Sequence, residues 1–174
     1  MHAGGANRSL LTVTAVKKAV PVPSDDPTVA GGPAYIRAAC TKDAEAIQGL
    51  LRQLGYETPT ETVAERLELL RSTGIDQVSV AEQAERVVGV VMVHWRWRLH
   101  AARPMARIDT LVVDGPVRRQ GIGRRLVQHA IALSRQAGCG GVELTTAKER
   151  AEAQGFYRRL GFVSTSLRFH QGLD

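Results

Sequence analysis

ARIDTLVVDGPVRRQGIGRRLVQHAIALSRQAG, residues 106–138, passes from one kind of backbone to another. Its first nine residues, ARIDTLVVD, are rich in β-branched and apolar types and read as a strand. The stretch from Gly121 reads as a long helix that Gly138 ends. GVELTT, residues 141–146, is the next strand. The whole passage from Ile108 to Thr146 has the length of a strand–helix–strand crossover, so its two strands should run parallel.

Between strand and helix lies Arg118-Arg119-Gln120-Gly121-Ile122-Gly123-Arg124. Glycine lets backbone approach a ligand closely because no Cβ intervenes. A helix start leaves several N–H groups without intrahelical acceptors, and the helix dipole adds positive potential there. The combination favours a phosphate, and the flanking arginines add charge-assisted donors suited to a diphosphate. A tight strand-to-helix turn with solvated arginines would carry the same residues. The loop is no Walker A motif, because Arg124-Arg125 stand where GK[ST] would be. It is no dinucleotide fingerprint, because Arg-Arg-Leu follows Gly123 in place of xxG.

Upstream, QVSVAE and RVVGVVMVHWRWRL flank a short polar turn at Gln83–Glu85 and read as an antiparallel hairpin. The sheet is therefore mixed. YIRAA, from Tyr35, is a first strand. Thr41 reads as N-cap of a helix over DAEAIQGLLRQLG with apolar residues at helical spacing. Pro59 or Thr60 opens a second helix, stopped by Gly74. Downstream, RAEAQGFYRRLG, residues 150–161, is a further helix, and FVSTSLRFH, residues 162–170, closes the chain as one or two strands. Residues 1–33, rich in Pro, Gly, Ser and Asp towards their end, read as a flexible N-terminal extension, leaving 34–174 as one domain.

The chain of 174 residues carries a net charge of +6. Residues 103–135 hold seven arginines against two aspartates, a local excess of five. A local anion site accounts for this better than affinity for polyanions. No zinc pattern, RNP motif or separate basic helix supports nucleic-acid binding. No apolar run reaches membrane-spanning length, and the N-terminus lacks the order of a signal peptide. Cys40 and Cys139 form no metal or disulfide pattern and read as two small buried side chains. A reducing, cytoplasmic setting without metal is expected.

The second informative segment is Ala153-x-x-Phe156-Tyr157-x-x-Leu160-Gly161-Phe162. One helical turn separates Ala153 from Phe156-Tyr157, so they can share a face. Alone, Tyr157 is equally a core residue with a hydrogen-bonded hydroxyl. Taken together, LVVD before RxxGxG and AxxFYxxLGF after GVELTT make residues 34–174 resemble the GNAT superfamily of N-acetyltransferases. The resemblance implies an α/β fold whose mixed, mostly antiparallel sheet has a splayed parallel strand pair and about four flanking helices. It implies transfer of an acetyl group from acetyl-coenzyme A to a primary amine, a small molecule in preference to a protein, by direct attack in a ternary complex.

On the same resemblance, backbone at Leu111, Val112 and Val113 would meet the pantetheine arm. Arg118, Arg119, Gln120, Gly121, Ile122, Gly123 and Arg124 would hold the diphosphate. Phe156 would pack by the pantetheine and Tyr157 would stand by the thioester sulfur. Arg150 occupies the place where the family often has asparagine, and would approach the cofactor or cap a loop. A tyrosine titrating near 10 can give a proton to a thiolate titrating near 8.5. For the amine's proton the candidates are Asp109, placed by strand alternation on the face of Leu111, and His94 and His100. His94, Trp97 and His100 would line the acceptor pocket. In HWRWRL the tryptophans alternate with Arg96 and Arg98, giving an aromatic and a basic face; one face lines an acceptor pocket, or the segment is a long edge strand with one tryptophan face packed on the first two helices. A basic rim would discourage polycationic acceptors. A non-catalytic acyl-coenzyme A-binding regulatory module would keep the glycine loop but be free to lose Tyr157. A homodimer suits such a fold, though no residue argues for it.

Overall fold

The computed structural model describes residues 34–173. The expected N-terminal extension lies outside the described residues. Five strands form one sheet in chain order: β1 (Tyr35–Ala38), β2 (Asp76–Gln83), β3 (Arg86–Arg96), β4 (Met105–Val113) and β5 (Gly141–Leu144). The first four pair antiparallel, and β4 with β5 is parallel. Helices α1 (Ala44–Arg52) and α2 (Thr60–Thr73) precede β2. α3 (Ile122–Gln136) makes the crossover, and α4 (Ala151–Arg159) follows β5.

The sheet is covered on both faces, which is why VVGVVMV is apolar without alternation. On one face Ile47, Leu50, Val63 and Leu67 of α1 and α2 pack on Val80, Val90 and Val112. On the other, Ile122, Leu126, Val127 and Ala130 of α3 pack on Val91, Val93, Ala106 and Ile108. A side chain as fully buried as Leu126 contributes about 1.5–3 kcal/mol. No helix among the described residues is long and apolar enough to cross a membrane. Those residues also hold no cluster of three or more His, Cys, Asp or Glu suited to a metal.

Four local expectations are corrected. The helix entry is capped at Cys40 rather than Thr41, which opens a short 3-10 turn. Asp43 supplies the capping carboxylate, accepting from the Cys40 N–H at 2.8 Å and from both terminal nitrogens of Arg37. Cys40 is exposed, and only Cys139 is buried. Residues 162–170 form no strand. Val163, Leu167 and Phe169 stay exposed, because no layer covers them and alternation alone makes no ladder. β5 likewise stops at Leu144, short of Thr146.

The β2–β3 turn has Ala84 and Glu85 at φ 47° and 59°. Two central residues at positive φ are what a two-residue hairpin needs, and Asn-Gly adopts them at far lower cost. Replacing Ala84-Glu85 by Asn-Gly should stabilise the fold by about 1–2 kcal/mol, read as a higher midpoint in urea.

Burial would raise the Asp43 carboxyl, but the Arg37 and Cys40 hydrogen bonds outweigh it and hold it below the ordinary value. Its contribution is therefore full above a pH of about 4 and lost as pH falls through the folded-state value. Asp43→Asn should lower stability at neutral pH and flatten the acid limb of a stability–pH curve; an unchanged limb would exclude this role.

Candidate active site

Parallel pairing of β4 with β5 covers four positions, from Met105–Gly141 to Ile108–Leu144. Beyond Ile108, β4 continues to Val113 with no partner on that side among the described residues. Its edge there offers backbone groups that require hydrogen bonds from elsewhere. Just past β5, the Thr146 hydroxyl is buried and without a partner among the described residues. A polar chain carrying amides, laid along this edge, would satisfy the β4 groups.

The parting coincides with a bulge. In the β3–β4 ladder Met92 faces Thr110 and Val93 faces Ile108, leaving Asp109 as the extra residue. The bulge reverses the phase of β4. Leu111 and Val113 pack towards the α3 core, and Val112 towards α1 and α2. Asp109 instead shares the face of Arg107, whose Nε donates to Asp109 Oδ1 at 2.7 Å. The expected common face of Asp109 and Leu111 is thus corrected.

β4 leads through a short turn, Gly115–Val117, to the glycine loop. Gly121 has φ 79° and is the N-cap of α3, with no side-chain cap over the first turn. Arg119 also sits at positive φ, 69°. Arg118, Arg119, Gln120, Gly121 and Arg124 are exposed, and the first-turn amides of Ile122, Gly123 and Arg124 have no intrahelical acceptors. Arg118 is partly committed: its Nε donates to the Val113 carbonyl at 2.9 Å, and its Nη2 to Gln53 Oε1 at 3.3 Å. Gln53 also accepts from the Gly115 N–H and donates to Asp114, tying the end of α1 to the loop. Nothing in the sequence marks Gln53 for this task.

A Cβ on Gly123 would stand 3.4 Å from the Phe156 ring and 3.6 Å from Val113. Phe156 of α4 therefore lies against the first turn of α3. Tyr157 meets Phe156 and Phe162 edge-on, with centroids 5.2 and 5.8 Å apart. Burial pushes its phenol up, and the nearby charge of Arg150 opposes this. Arg150 stands at the N-cap of α4, where its N–H donates to the Ala147 carbonyl. The loop before it is also held by Gln154, whose amide donates to Ala147 and Lys148.

On the opposite face of the sheet, where α1 and α2 leave it uncovered, lies an open cavity of about 640 Å³. Its lining includes His94, Arg96, Arg98, Arg107, Asp109 and Glu143. His94 Nδ1 lies 2.8 Å from Asp109 Oδ2. Donation from Nδ1 to this carboxylate leaves Nε2 as the basic nitrogen. Thr145 and Asp109, the first residues beyond the last ladder pair, both line this cavity. Tyr157 packs with the α3 face, so the two candidate proton groups flank the parting from opposite sides.

Trp97 and His100 fall outside the cavity lining. β3 ends at Arg96, and Trp97 is 65% exposed. Trp95 packs on the α3 face rather than on α1 and α2. The basic face of HWRWR, not the aromatic one, borders the cavity. Glu143, Thr145 and Arg168 were not foreseen there; their partners lie far away in sequence, and no local pattern reports them.

The family description "Acetyltransferase (GNAT) family" matches residues 39–162. Aminoalkylphosphonate N-acetyltransferase of Salmonella typhimurium is 31% identical over 146 residues, covering 79% of this chain and 90% of that protein. Glucosamine 6-phosphate N-acetyltransferase 1 of Oryza sativa subsp. japonica is 32% identical over 126 residues, 68% of this chain and 74% of that one. The crystal structure of glucosamine-6-phosphate N-acetyltransferase from Arabidopsis thaliana shares the fold, with a TM-score of 0.71 at 24% identity over 82% of this chain and 100% of that one. The chain belongs to the GNAT family of acetyltransferases.

An alkaline titration followed by tyrosinate absorbance should show a phenol ionising above the ordinary value near 10, and Tyr157→Phe should remove that step. Loss of a different step would place Tyr157 in a wetter environment than its burial indicates.

Proposed function

We propose that the protein transfers an acetyl group from acetyl-coenzyme A to a small-molecule primary amine. The observation that carries this reading is the parting of β4 from β5 beside an arginine-flanked, solvent-open helix start. The unpaired edge of β4 suits the amide-bearing pantetheine arm. Arg119, Gln120, Arg124 and the first-turn amides of α3 suit the diphosphate, while Arg118 braces the loop. Phe156 supplies an apolar contact at the same helix start. The names of the rice and Salmonella relatives, which describe small amines, support the acceptor class.

When bound, acetyl-coenzyme A would supply the acetyl group as an activated thioester. The residues of the chain orient the amine and move two protons. In the transfer an N–C bond forms and a C–S bond breaks. His94 Nε2 takes one proton from the amine, with Asp109 fixing the imidazole's tautomer and direction. Tyr157 Oη gives one proton to the departing sulfur. Its raised titration keeps the phenol protonated and ready to donate at neutral pH. Exchange with solvent restores both groups. Much of the acceleration comes from holding amine and thioester together.

The test is a thermal-shift measurement with coenzyme A, followed by thiol release from acetyl-coenzyme A across an amine panel. Tyr157→Phe should lower turnover by about tenfold or more while the coenzyme A shift persists. Absence of any shift with coenzyme A would remove the reading; unchanged turnover would remove Tyr157 from it.

A further inference from the structure

The cavity beside His94 carries more positive charge than its own ion pairs consume. Arg96, Arg98, Arg107 and Arg168 line it, against the carboxylates of Asp109 and Glu143, an excess of two positive charges with His94 neutral. Glu143 is shared by three of them: Arg98 Nη2 at 2.5 Å, Arg96 Nη2 at 3.3 Å and Arg107 Nη1 at 3.7 Å. Burial would raise its carboxyl, but the hydrogen bonds and charges of Arg98 and Arg96 hold it below the ordinary value, so it is ionised at neutral pH. Arg107 also serves Asp109. Arg168 meets no carboxylate among the described residues; its Nη1 reaches only the Thr145 hydroxyl, at 3.4 Å.

One carboxylate does not need three guanidinium groups, and like charges held this close repel one another. A structural ion network would balance them. The lining also includes the hydroxyls of Thr145 and Ser166. The volume suits a small ligand, and the surplus matches the charge of a phosphate or phosphonate group, roughly −2 near neutral pH. Guanidinium groups bind such oxyanions through paired hydrogen bonds.

We infer that this cavity is the acceptor subsite for a small primary amine bearing a phosphate-type dianion. Arg96, Arg168 and Thr145 grip the oxyanion, and the amine faces His94. Glu143 gathers and aims the arginines. This rests on the acetyltransfer reading above and adds the identity of the acceptor's second group. A polycationic amine is disfavoured by the same charges.

The experiment compares 2-aminoethyl phosphate and 2-aminoethylphosphonate with ethanolamine, by steady-state acetyl transfer and by thermal shift with each amine alone. kcat/KM for the dianionic amines should exceed that for ethanolamine by about 100-fold, expressed mainly in KM. Arg168→Gln and Arg96→Gln should each cut that preference by about tenfold, and Arg168→Lys should restore part of it. Equal kcat/KM values for the three amines, or a preference that survives both Gln substitutions, overturn the inference.

Binding separates the inference from its parent reading. If acetyl transfer fails altogether, a thermal shift with 2-aminoethyl phosphate that Arg168→Gln abolishes still upholds the anion subsite. A shift that survives Arg168→Gln but is lost in Arg118→Gln belongs to the glycine loop and overturns it, as does no shift at all.

Discussion

The four-position parallel ladder between β4 and β5 is the constraint on which the site is built. Parallel strands joined by a helix are held together by the core beneath them, here Ala106 and Ile108 against α3. Pairing persists while both strands lie over that core and ends where β5 turns away towards α4. The helix start, Phe156, Tyr157, Asp109 and Thr145 all border the end of the ladder or the strand edge beyond it. A longer ladder would pair the β4 edge with backbone and leave no polar seam to open.

The protein uses this seam to keep two chemistries apart. The α3 side is apolar and aromatic, and burial there favours the neutral phenol of Tyr157. The other side is polar and charged, with His94 tied to Asp109 and the arginines gathered on Glu143. Sheet backbone separates the two. A proton acceptor and a proton donor can therefore keep unlike surroundings while serving one reaction centre, which is what opposite proton transfers demand.

Much of the architecture was legible in the sequence. The glycine-broken turn between an apolar strand and a long helix fixed the crossover, and the two apolar runs around Gln83–Glu85 marked the hairpin of β2 and β3; that β3 lies in the middle of the sheet was not legible from it. The tyrosine helix was legible because Ala153 and the Phe156-Tyr157 pair stand one helical turn apart. The bulge at Asp109 was not, because an inserted residue leaves no mark in composition and only the partner strand reveals it. The same limit hid Glu143, whose arginine partners lie 45 residues or more upstream or come from the other side of the ladder. It also made FVSTSLRFH look like a strand: alternation describes a ribbon with two unlike faces but does not supply a neighbour for it to pair with.

The extra residue in β4 has a consequence of its own. On either side of Asp109 the strand is read in two different frames: Ala106 and Ile108 point to the α3 side before it, and Leu111 and Val113 after it. Excising that single residue would let Ile108 and Thr110 follow one another opposite Val93 and Met92, so simple alternation would return with Leu111 and Val113 still towards α3 and Val112 still towards α1 and α2. The packing of the strand does not need the insertion, and what the insertion adds is one carboxylate beside His94, standing outside the alternation that fixes its neighbours.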